Sequence, residues 1–147
     1  MRRFGEPRKK GVLYRQRPGA YGVILQGQDL LLTLQNAEVP ELQLPGGGMD
    51  PGETPTRALH REVFEETGYH ITGLRRIGAY QRYTYMPEYS LWARKICHIY
   101  LCHPTLRIGD PTEPEHTAIW MPVVDAIQHL SNSGDRHFTE QLLRDLL

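Results

Sequence analysis

Cysteine is nearly absent from this chain: among 147 residues there are only Cys97 and Cys102. Two thiols cannot build a disulfide-stapled scaffold, so a hydrophobic core has to hold the fold together. They stand five residues apart in a segment that reads as a strand, which places them on opposite faces and disfavours a bridge between them. Free thiols in a reducing cytoplasm are therefore expected. Long apolar runs are missing too: none approaches the roughly 20 residues that a membrane-spanning helix needs, and the basic N-terminus is not followed by the apolar segment of a secretory signal. No internal repeat or low-complexity segment is present. At 16.9 kDa the chain suits one soluble domain with one core, with no membrane partner and as a monomer or homodimer.

Net charge is the third absence, since 17 basic and 17 acidic side chains cancel. The balance conceals an asymmetry. Residues 1–17 hold Arg2, Arg3, Arg8, Lys9, Lys10, Arg15 and Arg17 against Glu6, 7 − 1 = +6, which leaves 10 − 16 = −6 for residues 18–147. An acidic remainder is consistent with a domain that binds cations. The basic arm, residues 1–17, reads either as a flexible, solvated tail or as a segment that attracts a polyphosphate or RNA.

The stretch from Gly46 to Tyr69, GGGMDPGETPTRALHREVFEETGY, organises the rest. Thr54 suits an N-cap, Pro55 the first helical position and Gly68 a C-cap, so the spacing predicts a helix over residues 55–67. At about 100° per residue, Leu59 and Val63 mark a buried stripe, while Glu62, Glu65 and Glu66 share a neighbouring arc of about 100°. Like charges at that spacing destabilise a helix, and a divalent cation resolves the conflict. Oxygen ligands with no thiol or imidazole on that edge suit Mg²⁺ or Mn²⁺ rather than zinc. The glycines and prolines from Pro45 to Gly52 let the backbone bend tightly and approach a ligand with bare amides and carbonyls.

The spacing of Gly47, Glu53 and the run Arg61 to Tyr69, REVFEETGY, resembles the complete Nudix box of the Nudix hydrolases, with Tyr69 where an aliphatic residue is the norm. The resemblance implies hydrolysis, by water and Mg²⁺ or Mn²⁺, of a pyrophosphate bond in a nucleoside diphosphate linked to another group. It implies Glu62, Glu65 and Glu66 as metal ligands, joined by the carbonyl of Gly47. Catalytic duties would fall on Glu53, Arg61, Glu62 and Glu66: one glutamate, Glu62 or an outlying one, assists deprotonation of water, and Arg61 braces the carboxylates. A nucleotide or dinucleoside polyphosphate ranks first as substrate; capped RNA ends are a further candidate. The alternatives are an ADP-sugar pyrophosphatase and a non-catalytic nucleotide-binding module of the same fold.

Around the box, strands are expected over residues 20–26, 30–35 and 42–44, over 71–85 with bends or bulges at Gly73 and Gly78, over 96–102 as the central strand, and over 117–121. Loops are expected over 86–95 and 104–114, and helices over 122–130 and 136–146. This order, with the resemblance, implies the α/β/α sandwich of the Nudix fold around a mixed sheet. Family members recruit a further glutamate ahead of the last strand, where Glu113 and Glu115 stand. Glu115 is the better metal candidate, because PEHTAIW resembles the corresponding segment of bacterial RNA and dinucleoside polyphosphate pyrophosphohydrolases. Weaker likeness lies in QRYTYMP, and Gly46 stands where those enzymes usually carry glutamine. His116 reads as a surface or lightly packed histidine. Tyr80, Tyr83, Tyr85 and Tyr89, with Arg82, Arg94 and Lys95, combine flat rings with positive charge and are the candidates for binding a nucleobase and phosphates.

Overall fold

The computed structural model describes the chain except for residues 37, 108, 110, 111, 113, 114 and 147 and the side chains of 106 and 107, so Glu113 lies outside the described residues. Alternation of apolar side chains divides the molecule into layers. In β2 (Arg15–Gln26) Val23 and Ile24 point to opposite sides, and in β3 (Asp29–Gln35) Leu30 and Leu32 oppose Leu31. All five are 0% exposed, which only a sheet covered on both faces can provide. One face packs on α1 (Pro55–Thr67) through Ala58, Leu59 and Val63. The other packs on α2 (Val123–His129) and α3 (Ser133–Leu146) through Val123, Ala126 and Leu142. The expected α/β/α sandwich follows.

Among the described residues the strand order is β1 (Arg2–Arg3), β6 (Tyr69–Met86), β7 (Leu91–Arg107), β2, β3 and β4 (Glu41–Gln43), with β5 (Gly46–Gly48) added to β2 and β8 (His116–Pro122) to β3. The sheet is mixed: β2 runs parallel to β7, which is antiparallel to β6. β7 is thus central. Its two thiols serve opposite faces, Cys97 against the α2 and α3 layer and Cys102 against the α1 layer. Burial pushes them up to about 11 and about 12.

Local signals set α1. Thr54 Oγ1 accepts from the Arg57 N–H at 3.3 Å, and Gly68, at φ 76°, donates to the Phe64 carbonyl at 2.9 Å. Phe64, which lies off the buried stripe, stacks on His70 at 4.9 Å. Elsewhere pairing between distant segments extends the strands. Residues 69–86 form one strand with register shifts between Tyr69 and Ile71, between Thr72 and Arg75 across Gly73, and between Arg76 and Gly78. The loop expected over 86–95 shrinks to a tight turn at Pro87–Tyr89, because Leu91 to Lys95 pair with β6.

β2 begins at Arg15, so a boundary at residue 18 falls inside a strand. Further upstream, Arg2 and Arg3 pair with Tyr80 and Gln81, the Phe4 N–H donates to the Gln81 carbonyl at 2.9 Å, and the Phe4 ring meets Tyr80 edge-on at 5.4 Å. The basic segment is laid along the edge of the sheet.

α3 approaches the sheet closely only because residue 134 has no side chain: a Cβ there would overlap the Tyr80 ring, which is 1% exposed and cannot retreat. Overpacking of this kind costs about 1–3 kcal/mol, against a helix-propensity gain of at most about 1 kcal/mol for replacing glycine by alanine. Gly134→Ala is therefore expected to lower stability by about 1 kcal/mol or more in urea unfolding; an unchanged midpoint would show that the ring yields freely.

Candidate active site

The loop before α1 and the acidic edge of α1 are built against each other. Gly46 has φ 148°, and its Cα passes so near the Ala20 carbonyl and Tyr21 backbone that no side chain fits. Its N–H donates to Glu66 Oε1 at 2.9 Å, and Glu66 is only 3% exposed. Gly47 pairs with Ala20 of β2. The Glu62 carboxylate lies directly over it: a Cβ at residue 47 would stand 2.6 Å from Glu62 Oε2. Gly47 is thus a cradle shaped for a carboxylate.

Arg61 ties this arrangement together. Its Nε and Nη2 donate to the two Glu53 oxygens at 2.8 Å each, Nη1 to Glu62 Oε1 at 2.9 Å, and Nη2 also to the Gly48 carbonyl at 3.0 Å. The hydrogen bonds from Arg61, with a further one from the Asp50 N–H, hold the Glu53 carboxyl down at about 2. Glu62 is pushed up by burial in spite of Arg61. The crowding of three carboxylates is thus met in part by a guanidinium of the same helix. Glu65 turns towards it, with Oε2 3.4 Å from Nη1, while its carbonyl accepts from the Thr112 N–H at 2.9 Å. Among the described residues no three acidic, histidine or cysteine side chains are gathered as a ready-made metal cluster.

Glu62 and Glu66, with Gly46 to Gly48, line a cleft of about 390 Å³ that is also lined by Arg17, Arg82 and Lys95. The two basic residues of the hairpin face each other because Arg82 of β6 pairs directly with Lys95 of β7. Burial lowers the Lys95 ammonium. At the mouth the Arg17 guanidinium sits 4.6 Å above the Tyr89 ring.

Strand alternation sorts the remaining candidates. Tyr80 is on the cleft side but belongs to the core, 1% exposed, its hydroxyl donating to Asp135 Oδ1 at 2.7 Å. It cannot offer a ring face to a base. Tyr83 and Tyr85 point to the other side of the sheet, opposite Arg94 and Trp92, and Arg94 Nε donates to Gln81 Oε1 at 2.8 Å. These three are not brought to the cleft. Glu115 has an exposed side chain and contributes its carbonyl to the Asn36 N–H at 2.8 Å. Its neighbour His116, read from sequence as a surface or lightly packed residue, is half-buried and lines the cleft, with Nδ1 3.7 Å from Glu66 Oε2. Sequence reasoning also missed Tyr21, Asn132 and Asp135, which line the same cleft and whose placement depends on pairing across the whole chain.

The family model for the NUDIX domain matches residues 15–142. The chain belongs to the Nudix family. Among curated relatives, the Bacillus subtilis (strain 168) "Putative 8-oxo-dGTP diphosphatase" is 39% identical over 74 residues, 50% of each chain. The "CMP-5'-(N-acetyl-N-hydroxy-3-aminopropyl)phosphonate hydrolase" of Streptomyces rubellomurinus is 32% identical over 77% of this chain and 55% of its own. This Nudix chain thus spans about half the length of the curated relatives it matches. A MutT NUDIX hydrolase from Burkholderia pseudomallei has the same fold, with a TM-score of 0.67, 25% identity, and coverage of 86% of this chain and 98% of that one.

The buried carboxyl at the end of the cleft makes stability depend on pH. Burial, opposed by the Tyr80 hydroxyl, pushes Asp135 from an ordinary 3.8 up to about 6. The folded chain therefore binds the proton more tightly than the unfolded chain, and the stability this contributes is complete below about 4 and lost as pH rises through about 6. On the order of 3 kcal/mol is at stake, at 1.36 kcal/mol per pKa unit. Denaturant unfolding from pH 4 to 7 should show the wild type losing stability relative to Asp135→Asn; parallel profiles would mean that Asp135 titrates normally.

Proposed function

We propose that this Nudix domain hydrolyses a pyrophosphate bond in a nucleotide polyphosphate, using Mg²⁺ or Mn²⁺. One observation carries the reading: carboxylates and bare glycine backbone of the metal-binding type share a single cleft with three cationic side chains. A phosphate chain bridging those two ends satisfies both.

The donors fit a hard divalent ion. Glu62 and Glu66 offer carboxylate oxygens, and Gly47 lacks the Cβ that would displace the Glu62 carboxylate. Glu62 and Glu66 would hold the metal, with the Gly47 carbonyl and Glu65 as further donors. When bound, such an ion neutralises phosphate charge and acidifies water. Arg61 fixes Glu53 and Glu62 in orientation, so these two carboxylates are set before a ligand arrives. Glu62 faces the cleft from that edge and takes the proton of the attacking water. Arg17, Arg82 and Lys95 bind the phosphates and hold the chain in line for attack. The relatives support a nucleotide substrate: their names concern 8-oxo-dGTP, a CMP phosphonate and, for the 39% identical segment from Yersinia enterocolitica, RNA.

The test is a panel of nucleoside triphosphates, dinucleoside polyphosphates, 5'-triphosphorylated RNA and ADP-sugars, with kcat and KM for each. Turnover should require Mg²⁺ or Mn²⁺, stop with EDTA, and fall by roughly a hundredfold or more in Glu66→Gln, the scale of losing a principal catalytic group. Arg82→Ala should mainly raise KM. Tight nucleotide binding without turnover would make the protein a binding module, and preference for an ADP-sugar would overturn the substrate class.

A further inference from the structure

Beyond the cleft lies a second cavity of about 490 Å³, between the N-terminal segment and the edge of β6, with Phe4, Lys9, Tyr83, Tyr85 and Trp92 among its lining residues. It adjoins the cleft, since Arg82, Ser131 and Asn132 line both. Pairing with β1 ends at Gln81, and beyond it β6 borders this cavity. The aromatic residues that alternation sends away from the cleft collect here. Tyr14 meets Tyr83 at 4.7 Å, Tyr85 meets Trp92 at 5.2 Å, and the Lys9 ammonium lies 4.6 Å above Trp92. Tyr85 remains 45% exposed, so part of its ring is open to a ligand. Glu6 is the one carboxylate among the described lining residues, against Lys9 and Arg82.

We propose that this cavity is a subsite for a second nucleotide, attached to the far side of the phosphate chain held in the cleft; the inference rests on the function proposed above. Tyr85 supplies a face on which a base of any identity can stack, Lys9 meets the accompanying phosphate or ribose, and Arg82 stands at the junction. The basic segment 1–17 attracts the same polyanion from a distance and is laid where it must arrive. Two sources offer this chemistry: the nucleotide that follows the 5' end of a polyphosphorylated RNA, and the second nucleoside of a dinucleoside polyphosphate.

The experiment compares ATP, diadenosine tetraphosphate and a 5'-triphosphorylated RNA pentamer on wild type, Tyr85→Ala, Tyr85→Phe and Lys9→Ala. With Mg²⁺, Tyr85→Ala should leave kcat/KM for ATP within about twofold and lower it about tenfold, through KM, for one or both two-nucleotide probes, the scale of one lost base stack. Tyr85→Phe should restore the wild-type value. A loss confined to the RNA or to diadenosine tetraphosphate identifies the source. Equal loss on ATP would show a structural role, and no loss on either larger probe would show an unused cavity; both overturn the proposal. If the wild type hydrolyses none of the three, the proposed function fails, and equilibrium binding of the same probes decides the subsite separately. Tighter binding of a two-nucleotide probe than of ATP, lost in Tyr85→Ala, sustains it; equal binding of all three overturns it.

Discussion

The guanidinium of Arg61 is the contact on which the acidic edge depends. It holds Glu53 through two parallel hydrogen bonds and also reaches Glu62, Glu65 and the Gly48 carbonyl, so the loop before α1 and the helix itself become one piece. A lysine could supply the charge but not the fork that reaches both Glu53 oxygens while keeping a donor for Glu62. At 29% side-chain exposure its ion pairs are partly screened, so the main consequence is orientation rather than global stability. Orientation then propagates: Glu62 is set over Gly47, Gly47 pairs with β2, and β2 lies beside the central β7. The acidic groups are thus referenced to the paired interior of the sheet.

The opposite chemistry reaches the cleft by another route. Arg82 and Lys95 are aligned by cross-strand pairing in the hairpin of β6 and β7, with no helix involved. Two independent elements, one helical and one extended, therefore supply charges of opposite sign to one cleft. Below them Tyr80 and Asp135 form a buried hydrogen-bonded pair that links the sheet to α3. An ionised carboxylate at such a place costs stability that an apolar residue would not, and residues retained at such a cost cluster around functional sites.

What could be read from the sequence was what is decided locally. The bounds of α1 follow from Thr54, Pro55 and Gly68, all within or next to the helix, and the grouping of Glu62, Glu65 and Glu66 follows from helical rotation. The layers follow from the order of strands and helices taken with the family resemblance. The hairpin was harder. Tyr80, Arg82, Tyr83 and Tyr85 look alike as a string of rings and charges, yet a shift of one residue decides which face each takes, and only pairing with β7 fixes that phase. Glu115 and His116 show the same limit: they are neighbours in sequence, yet the side chain of Glu115 is exposed and that of His116 lines the cleft. Asp135 stands 55 residues from the hydroxyl it accepts from, and no local pattern announces such a partner. By composition the basic segment reads as a solvated tail or a polyanion-attracting arm, whereas pairing of Arg2 and Arg3 with β6 and the contacts of Phe4 lay its start along the edge of the sheet.

The two cysteines give the molecule a pair of internal reporters. Each sits on β7 against a different helical layer, and burial keeps both protonated at neutral pH, so neither reacts as a thiolate while its layer is closed. Alkylation of Cys97, which also borders the cleft, registers opening on the α2 and α3 side, and alkylation of Cys102 opening of the α1 layer that carries the glutamates. With no other sulfhydryl in the chain, the relative rates of modification at these two positions measure, without any engineered label, whether the two halves of the sandwich come apart together or one before the other.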